Sequence, residues 1–508
     1  MTKFRTPAKT MTERLDVNYY RPEFIENQRK LDSVNTVKFS QLYVESGIGH
    51  TASVEPHYAK DGHGVPFISG KAIKNGKLLI EVAEKIQTKS HKGIMSKSRL
   101  KSGYLLIVRK GDVGNACFVP SDAEELNCSS EVMFFQCRKT EDSHYLSAFF
   151  NTYHGGLAIE RLQRGSLIPG VSLYDIPGLD VLWLSDEART YIGNKVRQAE
   201  QLRERSREFA DKINFLISIN DIQKALALKE LKYNRPRAEE LELRFDPKYY
   251  NRRAMAVLKA CYHESIPIAN LIISVNNGFE NRKFVDKGFP YITVSDVSSG
   301  RLSLDNAPQI SSLAQIPDKA RIHSCCVLVV RTGSIGTAVK VHREDENASI
   351  SSHLIRLEFQ EESIAAAVAA FLNSQAGSCL LQKVSYGAVQ PQVGQNEVLS
   401  FPIPKAVLEN AEEILLYMNN QEQAIRNLAR LIEAAKFLVE ALIEGDLKES
   451  ELKAAQEKLQ QGDNSLDQEI LSRLTRNGYN VSGEPPLFPD LDALYKPLQE
   501  AETSQKVK

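Results

Sequence analysis

Residues 105–116 read LLIVRKGDVGNA, and residues 327–338 read VLVVRTGSIGTA. In each stretch an apolar, partly β-branched run ends in an arginine, Arg109 or Arg331, and two glycines follow at one spacing, Gly111 and Gly114 in the first and Gly333 and Gly336 in the second. The offset is 222 residues, and it holds downstream with almost no insertion. It carries Ser129-Ser130 onto Ser351-Ser352, Phe149 and Asn151 onto Phe371 and Asn373, and Glu200-Gln201 onto Glu422-Gln423. Gly165, Pro169 and Val171 likewise return as Gly387, Pro391 and Val393. Upstream the offset is slightly larger: Val65-Pro66-Phe67-Ile68 becomes Phe289-Pro290-Tyr291-Ile292, Gly76-Lys77-Leu78 becomes Gly300-Arg301-Leu302, and Arg14, Asp16, Tyr19 and Tyr20 become Arg244, Asp246, Tyr249 and Tyr250. A long internal repeat sets architecture before any single element is read. The chain is a tandem duplication of a unit of about 220 residues, too long for a solenoid repeat and right for a domain plus a helix.

Each unit divides in two. The first part alternates β-rich runs (VPFIS, LLIVR, EVMFFQC; FPYIT, VLVVR, HLIRLEF) with Gly, Asn, Ser and Pro turns, which predicts a compact β-dominated domain. The second part is helical. Ser185-Asp186-Glu187 starts a segment in which Ile192, Val196, Ala199, Leu202, Phe209, Ile213 and Leu216 keep a three-four spacing. Its counterpart carries Ile414, Met418, Ile425, Leu428, Ile432, Ala435, Leu438 and Leu442, and ends at Gly445. Narrow apolar seams with charged flanks are stable only when buried, and the nearest partner for each helix is the repeat's own copy. The expected fold is therefore α+β: two β-rich domains joined by two long antiparallel helices, with an internal pseudo-twofold repeat. The alternative is that each helix packs on its own domain. The boundaries fall at 1–184, 185–232, 233–404, 405–461 and 462–508. In the last segment Leu471, Leu474, Tyr479, Leu487, Phe488, Leu491, Leu494 and Tyr495 stand among acidic residues, and dock either on the protein's own helices or on a partner.

At 508 residues, 42% hydrophobic and 25% charged, the composition suits a soluble, multidomain protein. No apolar run follows the basic residues of the N-terminus and none approaches the roughly eighteen residues of a membrane span, so a cytoplasmic protein without membrane contact is expected. Seven cysteines without a Cys-x-x-Cys pair read as reduced core residues, and the spacing of Cys117, Cys128 and Cys137 fits no zinc finger, so no metal is expected. A net charge of zero hides a gradient. Residues 60–110 carry twelve Lys/Arg against three Asp/Glu, a balance of +9, and residues 444–508 carry eight against thirteen, a balance of −5. A basic stretch in a neutral chain suits a polyanion held over a limited footprint, or is simply a solvated face.

In their order, occurring twice, these motifs resemble the specificity (S) subunits of type I restriction-modification systems, which carry two target recognition domains separated by two long helical spacers. The resemblance runs from about Arg14 to Gly445 and rests on the Pro-Phe-Ile or Pro-Tyr-Ile strand, the Gly111-x-x-Gly114 and Gly333-x-x-Gly336 loops, the Gly165-x-x-x-Pro169 and Gly387-x-x-x-Pro391 loops, and the Glu-Gln pair on each helix. It implies a non-catalytic subunit whose domains each read half of a bipartite site on double-stranded DNA. It further implies that the helices dock adenine-type methyltransferase subunits, two of them, and helicase-nuclease subunits in systems that restrict. S-adenosylmethionine then belongs to the methyltransferase and this chain holds no cofactor, the setting being DNA methylation and phage defence. The segment after Gly445 departs from the family pattern.

DNA reading needs groups that hold phosphates and groups that bond base edges. The candidates are Lys71, Lys74, Lys77, Arg109, Lys110 and Arg164 in the first domain and Arg301, Arg331, Lys383, Gln390 and Gln392 in the second. Lys77 matches Arg301 and Arg109 matches Arg331. A residue shared by both copies cannot tell two half-sites apart, so these suit phosphate contact or scaffold, and the two strand-end arginines read equally as structural. Ile168 against Gln390 and Gly170 against Gln392 differ, and glutamine bonds adenine in a bidentate way. The paired glycines fit a phosphate loop or, with no Gly-Lys-Ser/Thr following, a tight turn. For the helix seam and the partners it presents, the residues are Ile192, Val196, Phe209, Ile213, Leu216, Ile414, Met418, Leu428 and Leu438. No dinucleotide fingerprint, Asn-Pro-Pro-aromatic, Walker A, His-Glu-x-x-His or Gly-x-Ser-x-Gly motif occurs, and His50, His57 and His63 near Asp61 read as an exposed loop. Two other classes stay open, a bivalent protein-binding adaptor and a nuclease or hydrolase.

Overall fold

The β-branched run of each copy becomes an inner strand of a four-stranded antiparallel sheet, buried on both faces as a continuous apolar run requires. The structure is a computed structural model; it describes residues 14–505 except 15, 61, 166–168, 230, 232, 234, 242, 243, 245, 263, 298, 305, 306, 334 and 388–390. The chain divides into two units, Met1–Glu204 with Ala424–Lys508, and Arg205–Gln423. The boundary falls inside both long helices, Asp186–Leu216 and Ala411–Glu444.

In the first unit the main sheet runs Tyr43–Ile48, Val132–Cys137, Leu105–Val108, Ala116–Phe118. A second sheet runs Glu84–Ile86, Val65–Ile68, Leu126–Cys128, Arg99–Leu100, with its two central strands parallel. In the second unit the main sheet is Ile272–Asn277, Leu354–Phe359, Cys326–Val330, Ala338–Lys340, and the smaller one is Gln309–Ile310, Phe289–Ile292, Ser349–Ile350, again with one parallel pair. Register repeats with topology: Val132 stands opposite Val108 as Leu354 stands opposite Val330.

Each domain also carries two helices that β-run alternation does not show, Asp142–Phe150 and Tyr153–Glu160 in the first, Glu362–Asn373 and Gln375–Val384 in the second. Asn151 and Asn373 end the first helix of each pair and reach back to the edge strand of the main sheet, bonding both the N–H and the carbonyl of Ala116 and Ala338 respectively. Thr152 and Ser374 then cap the second helix by accepting from the N–H of Gly155 and Gly377. A Cβ at either glycine would lie 2.1 or 2.2 Å from the carbonyl oxygen of Phe149 or Phe371, so the turn between the helices admits no side chain there.

The Arg-Asp-Tyr-Tyr motif is a clamp on this helix pair. Arg14 binds Asp16, donates to the carbonyls of Leu162 and Gln163, and stacks on Tyr19; Arg244 binds Asp246, donates to the carbonyls of Val384 and Ser385, and stacks on Tyr249. Each clamp holds the chain where the Gly165 or Gly387 loop begins.

Ile192, Val196, Leu428 and Leu438 share the first unit's core; Ile213 and Ile414 are buried in the second unit's, with Leu216 and Met418 packed against it. Inside the second unit Phe209 stacks on Tyr417 and Asn410 donates to the carbonyl of Leu216, so the two helical segments run antiparallel there. Gly445, at φ +85°, supplies the left-handed residue that ends the second helix.

The segment after Gly445 docks in cis. Helices Glu449–Gln460, Ser465–Ser472 and Asp492–Gln505 and a small hairpin send Leu452, Ile470, Leu471, Leu474, Leu487, Phe488 and Leu494 into the first unit's core. The anchor is a buried ion pair: Lys195 on the first long helix meets Asp467, whose oxygens also accept from the Tyr191 and Tyr495 hydroxyls at 2.5 and 2.6 Å. Five cysteines are buried, and burial pushes the Cys137 and Cys261 thiols up to about 12 and that of Cys326 to about 11, which keeps them unreactive. Among the described residues no single helix is long and apolar enough to cross a membrane.

Candidate nucleic-acid interface

The two loops singled out by the sequence are brought together in both units by the same backbone bonds. Val171 N–H donates to the carbonyl of Arg109 at 2.9 Å, and Val393 N–H to that of Arg331 at 2.9 Å. Arg164 and Gly170 exchange both main-chain bonds across the base of one loop, and Tyr386 and Gln392 do so across the base of the other. Lys110 pairs with Gly170 and Thr332 with Gln392 as further bridges. Each unit thus holds Arg109 and Lys110 beside Arg164, Gly170 and Val171, or Arg331 and Thr332 beside Tyr386, Gln392 and Val393.

Gly111 and Gly333 sit at φ +81° and +86° with open space where a Cβ would be. That left-handed backbone is what a tight turn requires of a glycine.

The candidate side chains separate into committed and free. Arg109 donates to the carbonyls of Val171 and Ser130 and so pins the loops. Its counterpart Arg331, half-buried, has no side-chain partner among the described residues. Arg164 pairs with Asp175 at 2.5 Å yet stays largely exposed. Arg301 forms a two-bond contact, 2.9 and 2.8 Å, with the buried carboxylate of Glu422, fastening its turn to the second long helix. In the first unit the equivalent turn meets that helix through Gly76, whose Cβ position lies 2.9 Å from Ile432. Lys77 lies in that hairpin, opposite Lys74.

Lys383 is not a loop residue. It ends helix Gln375–Val384, is buried, and its ammonium lies 3.2 Å from the ring centre of Tyr249, so the site is out of a ligand's reach. Lys71 and Lys74 are exposed, and they and the half-buried Lys110 have no side-chain partner among the described residues. Gln392 is half-buried beside the loop base, while Gln390 and Ile168 lie outside the described residues.

Sequence reasoning missed the residues around these loops. Glu131 accepts from the N–H of Gly70 at 2.8 Å, and its counterpart His353 is hydrogen-bonded through Nδ1 to the Thr332 hydroxyl at 2.9 Å. Tyr386, opposite Gln392, is 44% exposed, enough to present its ring. Their signal was in the repeat, as positions where aligned residues differ.

Other chemistry is sparse. Among the described residues one carboxylate trio, Asp122, Glu200 and Glu204, has metal-like spacing, but Arg203 sits in it, bonded to Asp122 and Glu200. His57 bonds Ser90 at 3.0 Å, and burial, then His57, hold His50 below its ordinary pKa.

No family model matches the chain, and no curated protein matches it. Solved structures do. The type I restriction-modification S subunit from M. genitalium is similar at 12% identity and a TM-score of 0.42, over 81% of this chain and 96% of that one. The HsdS subunit from Thermoanaerobacter tengcongensis is similar at 15% identity and a TM-score of 0.26, over 81% and 97%. A chain described under complex assembly and conformational transition of the type I R-M system is similar at 15% identity and 0.25, over 84% and 96%.

Proposed function

We propose that this chain is a DNA-reading specificity subunit, its two domains each taking one half of a bipartite site. The observation that carries the reading is the matched pair of loops: identical backbone bonds hold them in both units, while the side chains they project differ. A scaffold copied to hold different groups at the same places suits two different half-sites on one duplex. Lys71, Lys74, Lys110 and Arg331 supply phosphate contacts in this reading, and Gln392 a base contact. Arg109 and Arg301 act as scaffold, because their guanidiniums are taken by protein acceptors.

Methyl transfer belongs to a partner, following the sequence resemblance. Adenine-type methyltransferase subunits, with their S-adenosylmethionine, dock on the helices, and helicase-nuclease subunits join where the system restricts. The buried seam residues hold the helices; the outer faces remain for partners. The test is recovery of duplexes from a randomised pool by the full chain at stepped salt. Two short fixed sequences at a fixed separation should be enriched, with affinity falling steeply as salt rises. Salt-insensitive retention without any enriched motif would favour the adaptor class instead.

A further inference from the structure

The two loop bases differ in which strand projects the large group. Arg164 and Gly170 exchange main-chain bonds of 2.8 and 3.0 Å, Tyr386 and Gln392 bonds of 2.9 and 2.7 Å. Residues that exchange both bonds stand directly opposite, with their side chains on one face. In the first unit a Cβ at Gly170 would lie 3.2 Å from Lys110 Cγ, so the lysine stem fills the room beside the glycine. In the second unit the arrangement is reversed. Thr332, in the place of Lys110, is buried with its hydroxyl 2.9 Å from His353 Nδ1, and Gln392 stands where Gly170 was. One loop base therefore offers an ammonium beside a guanidinium, the other an amide beside a phenol ring.

Charge points the same way. The stretch matching residues 60–110 is 284–332, with five Lys/Arg against four Asp/Glu, a balance of +1 against +9. Two of those five cations are occupied, Arg301 by Glu422 and Arg321 over the ring of Phe289. Over this stretch the second unit carries fewer cations for phosphates, Arg331 among them, and its loop base carries neutral groups with which to read.

We propose that Gln392 and Tyr386 recognise an adenine–thymine pair by contacts that do not depend on salt, and that the electrostatic grip on DNA is concentrated at Lys110 and its neighbours in the first unit. This rests on the DNA reading above. A glutamine amide can span the N6 donor and N7 acceptor of adenine, and an aromatic face suits the thymine methyl; an ammonium serves either phosphate or guanine. The large-small exchange between positions 110 and 170 and positions 332 and 392 determines which unit does which.

The experiment uses the full chain and two single variants, Gln392→Ala and Lys110→Thr, with thermal unfolding checked against the parent. Motifs are recovered from a randomised duplex pool, and the dependence of affinity on salt is measured on one duplex of unselected sequence. Gln392→Ala should relax one A·T position, its preference falling at least about fivefold, and leave the salt slope unchanged. Gln392→Glu should move that position towards cytosine, whose N4 amine a carboxylate accepts. Lys110→Thr should lower the salt slope by roughly one and keep the A·T position. A Gln392→Ala chain with the parent's motif, or with an altered salt slope, overturns this inference and leaves the DNA reading standing. A parent chain that enriches no motif overturns both.

Discussion

Asn151 and Asn373 do one job in two places, each bonding the N–H and carbonyl of the alanine that starts the edge strand of the main sheet, and Arg14 and Arg244 clamp the same helix end in each copy. Lys110 and Thr332, Arg164 and Tyr386, or Gly170 and Gln392 share only a backbone. The difference separates scaffold from reader without any alignment of relatives: Asn151 with Asn373 and Arg14 with Arg244 agree and bond main chain, while Arg164 against Tyr386 and Gly170 against Gln392 differ at the base of the loops. A second difference is that only the first unit carries the segment after Gly445, with the buried Lys195–Asp467 pair as its anchor.

The largest effect should come from that anchor. Asp467→Ala leaves a buried ammonium without its partner and should destabilise the first unit by about 3–5 kcal/mol, read by denaturant unfolding, while Lys195→Met with Asp467→Leu recovers most of the loss. Burial alone would raise the Asp467 pKa, but the Lys195 ammonium and the two tyrosine hydroxyls outweigh it and hold it below its ordinary value. A carboxylate with a depressed folded-state pKa contributes stability that is fully present above its unfolded value of about 4 and is lost as pH falls through the lowered one. Acid unfolding of the parent should therefore show a loss below about pH 4 that the apolar double variant lacks. Retention of that loss in the double variant would place it elsewhere.

The scaffold side of the comparison predicts symmetry. Gly155→Ala and Gly377→Ala each force a methyl against a carbonyl oxygen, and each should cost about 1–3 kcal/mol in its own unit. A harmless substitution in one copy would show that the helix turn is not shared scaffold. Arg301→Ala should follow at about 1–2 kcal/mol, since it strips a two-bond partner from the buried Glu422 but sits partly in solvent. Smallest is Lys71→Ala with Lys74→Ala, which should weaken DNA binding about equally for any sequence and lower the salt slope by roughly one per lost contact. An unchanged slope would make the pair a solvated face.

Much of this was legible in the sequence because the duplication repeats residues with backbone duties. The helix seams were legible for a different reason: residues such as Ile192, Val196, Leu428 and Leu438 are apolar on one side only. Helix Glu362–Asn373 was not, because nine of its residues are buried and a helix apolar all round shows no periodic face. Lys383 looked like a loop cation; its neighbour Tyr249, far away in sequence, buries it. The docking of the final segment depends on Asp467 meeting Lys195 across 272 positions, which no local pattern reports.

The central claim is that the two β-rich domains are separate readers on a common scaffold. The direct test replaces residues 20–180 with the equivalent domain of a relative of different specificity, in the full chain, and compares the motifs recovered before and after. One half of the motif should change and the other half, with its contacts in the second unit, should stay as it was. If both halves change together, or neither does, the two domains do not read independently and the account is wrong.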